Sequence, residues 1–479
     1  MKAFLTIKEI KDGFKKRQFS PKDVLSFYKN RIKKYNSKLN AFLEVFEDEF
    51  EQESTKKGLL ENIPGLLKDN ICQKGRITSA ASKILSNYRA TYDATIAKKL
   101  RDEGAKIVGR GNMDEFAMGS SGEYSAYGPA LNPWNLEYSP GGSSSGPASA
   151  VAAGLVPWSI GSETGNSVRV PASFCNLVGL YPSYGRFSRR GAIAFTSSND
   201  QVGPLTKTVY DNALIASIIS GHDPKDGTSI NQPRQDFTKN LTGNLPKNLK
   251  IGIIKDSLES EGVVPEVKIA FENTIKQLQQ MGAQTKLVNL TNIEYGIAVY
   301  FVISRAEAAS NLSRYDGSLY GKRTQNPKDL EEMYIKTREE GFGNEVKRRI
   351  LMGNYVLSAG HKDAFYNKAV LVRSLLRKSF DDIFKDVDLL ISPTSPTLPF
   401  KIGEAISNPL EMYMADYFTV PMCITGIPAI SIPCGFSKTG LPIGFQIVGP
   451  RFSEDLIYQA AYAFEQKTQY YLQNPKDFE

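Results

Sequence analysis

Apolar positions along this chain follow two rhythms that alternate for most of its length. Ser20-Pro21-Lys22-Asp23 has the form of a helix start, a hydroxyl cap with proline at the first helical position. Val24, Phe27, Tyr28 and Ile32 then keep a single helical stripe. "YDATIAKKLRDEGAKIVGR" predicts a helix ending at Gly104 and a short strand over Lys106–Gly109. "GLVPWSIGS" and "LVGLYPS" are apolar runs bounded by glycine and proline, as buried strands are. "LKIGIIK" (Leu249–Lys255), "AQTKLVNL" and "VDLLISP" repeat the pattern with helical segments between them. "PAISIPCG" and "LPIGFQIVGP" add two strands before a last helix from about Ser453. The alternation predicts an α/β fold: a mixed, largely parallel central sheet covered by helices on both faces.

Two stretches break the rhythm. Residues 222–248 are rich in Asp, Asn, Pro, Lys and Gly and predict a surface loop or hinge. Residues 295–382 are almost wholly helical in pattern, and strands resume after Asp386. A helical layer over about 295–382 thus reads as inserted into one domain spanning 1–479, with a helical segment over about 1–60 at its start.

Composition is that of an ordinary globular chain, 41% hydrophobic and 23% charged, which leaves enzyme and scaffold both open. No run of about 18 apolar residues is present, so no membrane span is expected. The first 20 residues carry Glu9 and Asp12 and no apolar core, unlike a secretory signal. Cys72, Cys175, Cys423 and Cys434 lie far apart with no C-x-x-C pair, which points to a reducing compartment such as the cytoplasm and away from a disulfide framework or zinc site. Eleven Lys/Arg against three Asp/Glu fall in the first 34 residues. An RNA-facing surface and a solvated helix face both fit that excess. Only His222 and His361 are present, so a Ser-His-Asp triad or a histidine metal site has almost no material.

Three stretches carry candidate chemistry. "SPGGSSSGPASA" (139–150) has a linker's composition, but it runs straight into a small-residue helix and a buried strand, so its glycines read as backbone packed tightly against something. "GSETGNSVRVPASFC" (161–175) leaves the strand "LVPWSI", where a loop can aim backbone N–H groups into a cleft. "GLLKDNI" (65–71) puts Lys68 in an apolar run; burial would lower its pKa, although residue type alone fits a surface lysine at a strand end equally well.

Together these pieces resemble the amidase signature family: Lys68, then Ser143 in "GGSSSG" 75 positions on, then Ser167 in "GSETGNSVRVP" a further 24 on. "IVGRGNMDEFAMGSS", "VGLYPSYGRFSRRGAIAFTSSNDQVGPLTKTVYDNA" and "EVKRRILMGNYVLSAG" narrow the likeness to the glutaminase subunits of tRNA-dependent amidotransferases, over nearly the whole chain. The resemblance implies that Ser167 is the nucleophile, that Lys68 is a neutral base, and that Ser143 relays the proton between them through a cis peptide. It implies an oxyanion cradle from the backbone N–H groups of Thr164, Gly165 and Asn166. It also implies a glutamine clasp from Arg349 for the α-carboxylate and Asp416 for the α-ammonium, with Tyr300 beside them. From the residues alone Arg349 is equally one cation on an exposed basic helix, and Asp416 equally a helix cap.

The implied partners are a B subunit, which would use ATP and Mg²⁺ on the charged tRNA, and a small C subunit. No phosphate loop or metal motif is seen here, so no cofactor is expected in this chain. The substrate would be glutamine, with its ammonia destined for Glu-tRNA(Gln) or Asp-tRNA(Asn). A stand-alone amidase, needing neither Arg349 nor Asp416, and a catalytically weak scaffold are the rival readings. The sequence departs from the family's usual residues at Ser145-Gly146-Pro147, Glu163, Tyr181 and Asn166. Asn166 stands where glycine is usual, and the expectation is a left-handed backbone there, with a side chain that crowds the oxyanion.

Overall fold

A computed structural model describes residues 1–404 and 414–479. Eleven strands form one sheet: β1 (Phe42–Val45), β2 (Pro64–Lys68), β3 (Lys106–Gly111), β4 (Trp158–Glu163), β5 (Val178–Tyr181), β6 (Gln201–Thr206), β7 (Lys250–Ile254), β8 (Gln284–Val288), β9 (Leu389–Pro393), β10 (Ala429–Phe436) and β11 (Pro442–Val448). Their spatial order is β1-β3-β2-β4-β6-β5-β10-β11-β9-β7-β8. The α/β class and mixed sheet are as expected, but the parallel share is smaller. Only β2 with β3 and β4, and β7 with β8 and β9, pair in parallel. The other six neighbouring pairs are antiparallel. Helical crossovers join β2 to β3 and β7 to β8. Between β10 and β11 only the short turn Ser437–Leu441 intervenes, which permits an antiparallel pair alone.

Strands β1 and β6 were not expected. β1 is a short edge strand from the N-terminal segment, and β6 carries Gly203 and Pro204, which mask its apolar pattern. The expected helix after Ser20 spans Pro21–Leu39, with Ser20 and Asp23 forming a reciprocal cap. Residues 295–382 contain the helices Gly296–Asn311, Leu330–Gly341, Asn344–Leu357 and Lys368–Ile383.

Strand alternation divides the core. Leu67, Ile107, Leu389 and Ile391 point to one face, under the helices Ile7–Lys15, Thr95–Asp102, Val209–Ile219, Pro265–Gln280 and Glu454–Thr468. Leu66 and Val108 point to the other, under Ser145–Ala152 and Arg169–Phe174. Leu390 shares that second face farther along, beneath Gly296–Asn311 and Lys368–Ile383. Because side chains repeat every second residue, Lys68 lies on the face of Leu66, beside the serine-rich stretch. No helix among the described residues is long and apolar enough to cross a membrane. All four cysteines are buried and unpaired.

The basic N-terminus is not simply a solvated face. Arg31 is buried and donates to the carbonyls of Ala153, Gly154 and Phe478, tying the long N-terminal helix to the C-terminus.

Candidate active site

Lys68 ends β2 yet has no exposed surface, so the surface reading of that residue is wrong. Its Nζ donates to Ser143 Oγ at 2.7 Å, Ser144 Oγ at 2.9 Å and the Ser162 carbonyl at 3.0 Å. Burial pulls its pKa from 10.5 down to about 7, opposed by Asp114, Asp200 and Glu163. Three neutral acceptors and no ion-pair partner within contact make this a lysine that can be uncharged near neutrality.

The serine stretch sits where it does because glycine lets it. A Cβ on Gly142 would overlap Asp114 Oδ2 and the Gly122 nitrogen, so only glycine fits. The Gly142–Ser143 peptide is cis. Asp114 braces the bed, accepting from the Gly122 and Tyr124 N–H groups at 3.0 Å each, while its own N–H donates to the Ser143 carbonyl. Burial raises Asp114 to about 6.

Ser167 lies in the loop between β4 and the helix Arg169–Phe174. The Ser144 N–H reaches its carbonyl at 3.2 Å, which joins the two serine-bearing segments. That loop is anchored by Glu163, which accepts from the Val168 and Arg169 N–H groups and pairs with the Arg169 guanidinium, both side chains being fully buried. Arg169 also donates to Gln446 Oε1 and the Thr419 carbonyl, linking the loop to β11 and the C-terminal part of the chain. Tyr181 donates to the Asn199 carbonyl and lies beneath the Arg169 guanidinium.

The three oxyanion candidates follow β4 directly. Thr164 Oγ1 donates to Asp200 Oδ1 at 2.7 Å. The backbone N–H groups of Gly165 and Asn166 donate to no acceptor among the described residues, which leaves them available. Gly165 is required by packing rather than by backbone conformation. A Cβ there would sit 3.0 Å from Tyr300 Cζ and 3.1 Å from its hydroxyl. Asn166 corrects an expectation. It is absent from the residues with positive φ, so its backbone is not left-handed. Its amide does not project idly towards an oxyanion either: Oδ1 accepts from Ser167 Oγ at 3.2 Å, and Nδ2 donates to Asp416 Oδ1.

The remaining candidates close over this loop. Arg349 is buried, not an exposed helix cation; its Nε donates to Glu345 Oε1 at 2.6 Å, and its guanidinium lies 5.6 Å from the Phe195 ring centre. The Asp416 side chain caps no helix. It takes Ser120 Oγ at 3.1 Å as well as Asn166, and burial raises it to about 7 against the pull of Arg349 and Arg305. Of the motif around it, Met412 and Tyr413 lie outside the described residues. Tyr300, on the helix Gly296–Asn311, stands against Gly165 and is held neutral by burial, which raises its hydroxyl well above the ordinary range.

All nine candidate residues therefore meet in one buried cluster. Ser144, Ser162, Asp114, Ser120 and Asp200 were missed as supports. Ser144 could have been found from the serine run itself, whereas Asp200 and Ser120 arrive through folding alone. A cavity of about 320 Å³ borders the cluster through Ser162, Thr164, Phe195 and Asp200, but neither Ser143 nor Ser167 lines it.

The Amidase family profile matches residues 23–458. The first-named component of glutamyl-tRNA(Gln) amidotransferase from Halothermothrix orenii, its A subunit, is 50% identical over 98% of this chain and 99% of its own length. A solved structure of the same component from Thermotoga maritima is 39% identical, covers 96% of this chain and 94% of its own, and superposes with a TM-score of 0.82. The native peptide amidase of Stenotrophomonas maltophilia is 26% identical, covers 97% of each chain, and has a TM-score of 0.81.

Proposed function

Because this chain belongs to the Amidase family, we propose that it is the glutaminase component, the A subunit, of a tRNA-dependent amidotransferase, releasing ammonia from glutamine to convert Glu-tRNA(Gln) to Gln-tRNA(Gln). The full-length relative at 50% identity supports the assignment of substrate and pathway. The observation that carries the chemistry is the fully buried Lys68 Nζ, 2.7 Å from Ser143 Oγ, with its pKa drawn to about 7.

In this reading Lys68 is neutral before the reaction. It takes the Ser143 hydroxyl proton as Ser143 takes that of Ser167, and Ser167 Oγ attacks the glutamine amide carbon. The oxyanion forms against the N–H groups of Thr164, Gly165 and Asn166, each worth about 3 kcal/mol in comparable sites. Collapse expels ammonia, which leaves with the proton returned from Lys68 through Ser143. Water then releases glutamate from Ser167 by the same relay. Arg349 would hold the substrate α-carboxylate as a fork and Asp416 its α-ammonium, with Tyr300 as a wall.

B and C subunits are the proposed partners, with ATP and Mg²⁺ used at the B subunit on charged tRNA, and with no cofactor in this chain. The four buried thiols agree with a reducing, cytoplasmic setting. The test is ammonia release from glutamine by the assembled complex with misacylated tRNA and ATP. Ser167→Ala should abolish glutamine hydrolysis while the complex still amidates tRNA from free ammonia. A Ser167→Ala complex that hydrolyses glutamine normally would end the proposal.

A further inference from the structure

Among the described residues, Ser167 does not donate to Ser143. Its hydroxyl is turned to Asn166 Oδ1 at 3.2 Å. The same amide uses its other end, Nδ2, as a donor to Asp416 Oδ1, and Asp416 Oδ2 accepts from Ser120 Oγ at 3.1 Å. Ser120, Asn166, Ser167 and Asp416 are all buried. The partners set the orientation of the amide: an ionised carboxylate accepts only, so the end facing Asp416 is the NH₂, which leaves Oδ1 for the Ser167 hydroxyl. One neutral side chain thereby connects the proposed nucleophile to the carboxylate proposed to hold the substrate ammonium. A glycine at 166 would have no such connection.

We propose that Asn166 is a positioning residue that ties release of the Ser167 proton to occupancy of Asp416 by a substrate ammonium. The proposal rests on the glutaminase reading given above. An α-ammonium reaching Asp416 makes a charge-assisted hydrogen bond and displaces the weaker neutral amide donor. The Asn166 amide, no longer anchored, can turn, and the Ser167 O–H swings from Oδ1 towards Ser143 Oγ, from which the proton path to Lys68 Nζ already exists. An amide without an α-ammonium leaves Asn166 anchored and the Ser167 proton parked. The device thus discriminates in kcat, beyond any loss of binding from the missing ammonium contact.

The experiment compares glutamine with its desamino counterpart, glutaramate, in the assembled complex, for the parent, Asn166→Gly and Asn166→Ala. Loss of the parking bond should raise kcat for glutaramate about five- to tenfold, the weight of one neutral hydrogen bond. The ratio of glutamine to glutaramate kcat should fall by the same factor. A purely structural asparagine would lower both rates together and leave the ratio unchanged, which would overturn the proposal. A second measurement needs no variant. Methylammonium, added to the parent with glutaramate, should fill the empty ammonium position and raise the rate of glutarate formation severalfold. No response of the parent to methylammonium overturns the proposal even if both variants fail to fold. A parent that hydrolyses glutamine yet shows neither effect sinks this inference alone, whereas a parent inert to glutamine sinks the glutaminase reading with it.

Discussion

Replacing Lys68 by methionine should abolish glutamine hydrolysis and, at neutral pH, make the protein more stable. The lysine pKa falls from 10.5 to about 7 on folding because burial disfavours its charged form. A shift of that size corresponds to about 5 kcal/mol between protonation states. Below pH 7 the folded protein must carry the charge and the whole penalty applies. Between about 7 and 10.5 the unfolded chain binds more protons than the folded one, so stability rises with pH, and above 10.5 the penalty has gone. Methionine removes this penalty and also the three hydrogen bonds of Nζ to Ser143, Ser144 and Ser162, each worth about 1 kcal/mol. The variant should therefore be more stable than the parent by about 1–2 kcal/mol near pH 7, and less stable by about 3 kcal/mol above pH 10. In thermal scans of a chain this long, that is about 1–2 °C up at neutral pH and about 3 °C down in alkali. In the parent, kcat/KM for glutamine should rise with pH about a midpoint near 7, since the free enzyme needs its base neutral. Lys68→Arg should be as inactive as the methionine variant, because a guanidinium stays protonated. A stability difference of one sign and size at both pH values, or an activity midpoint near 10, would refute a neutral Lys68.

Two further substitutions probe the loop that carries Ser167. Gly165→Ala brings a Cβ to 3.0 Å from Tyr300 Cζ, so the ring or the loop must move; kcat for glutamine should drop about tenfold or more with little change in thermal midpoint, and an unaltered kcat would show that the contact is soft. Arg169→Met leaves Glu163 buried with only the Val168 and Arg169 N–H groups for partners, which should cost about 3–5 kcal/mol in denaturant unfolding, and adding Glu163→Gln should recover part of it. No recovery in the double variant would place the loss in packing rather than in the stranded charge.

Local pattern decided the elements themselves. The capped start at Ser20, the apolar runs of β4, β5, β7, β9, β10 and β11, and the helical span 295–382 are each written in nearest-neighbour chemistry, so they are legible without tertiary contacts. The spacing of Lys68, Ser143 and Ser167 within their motifs was legible too, because glycines such as Gly142 are demanded by backbone contacts that tolerate no substitute. Strand direction was not legible, since it depends on which strands become neighbours, and β6 hid behind Gly203 and Pro204. Nor was the burial of Lys68: only the β2 register, which sets it on the face of Leu66, together with the helix laid over that face, removes it from water. Asn166 makes the same point most sharply. Its neighbours in sequence suggested a tolerant turn residue, whereas its function depends on Asp416, 250 positions away, and so exists only in the folded chain.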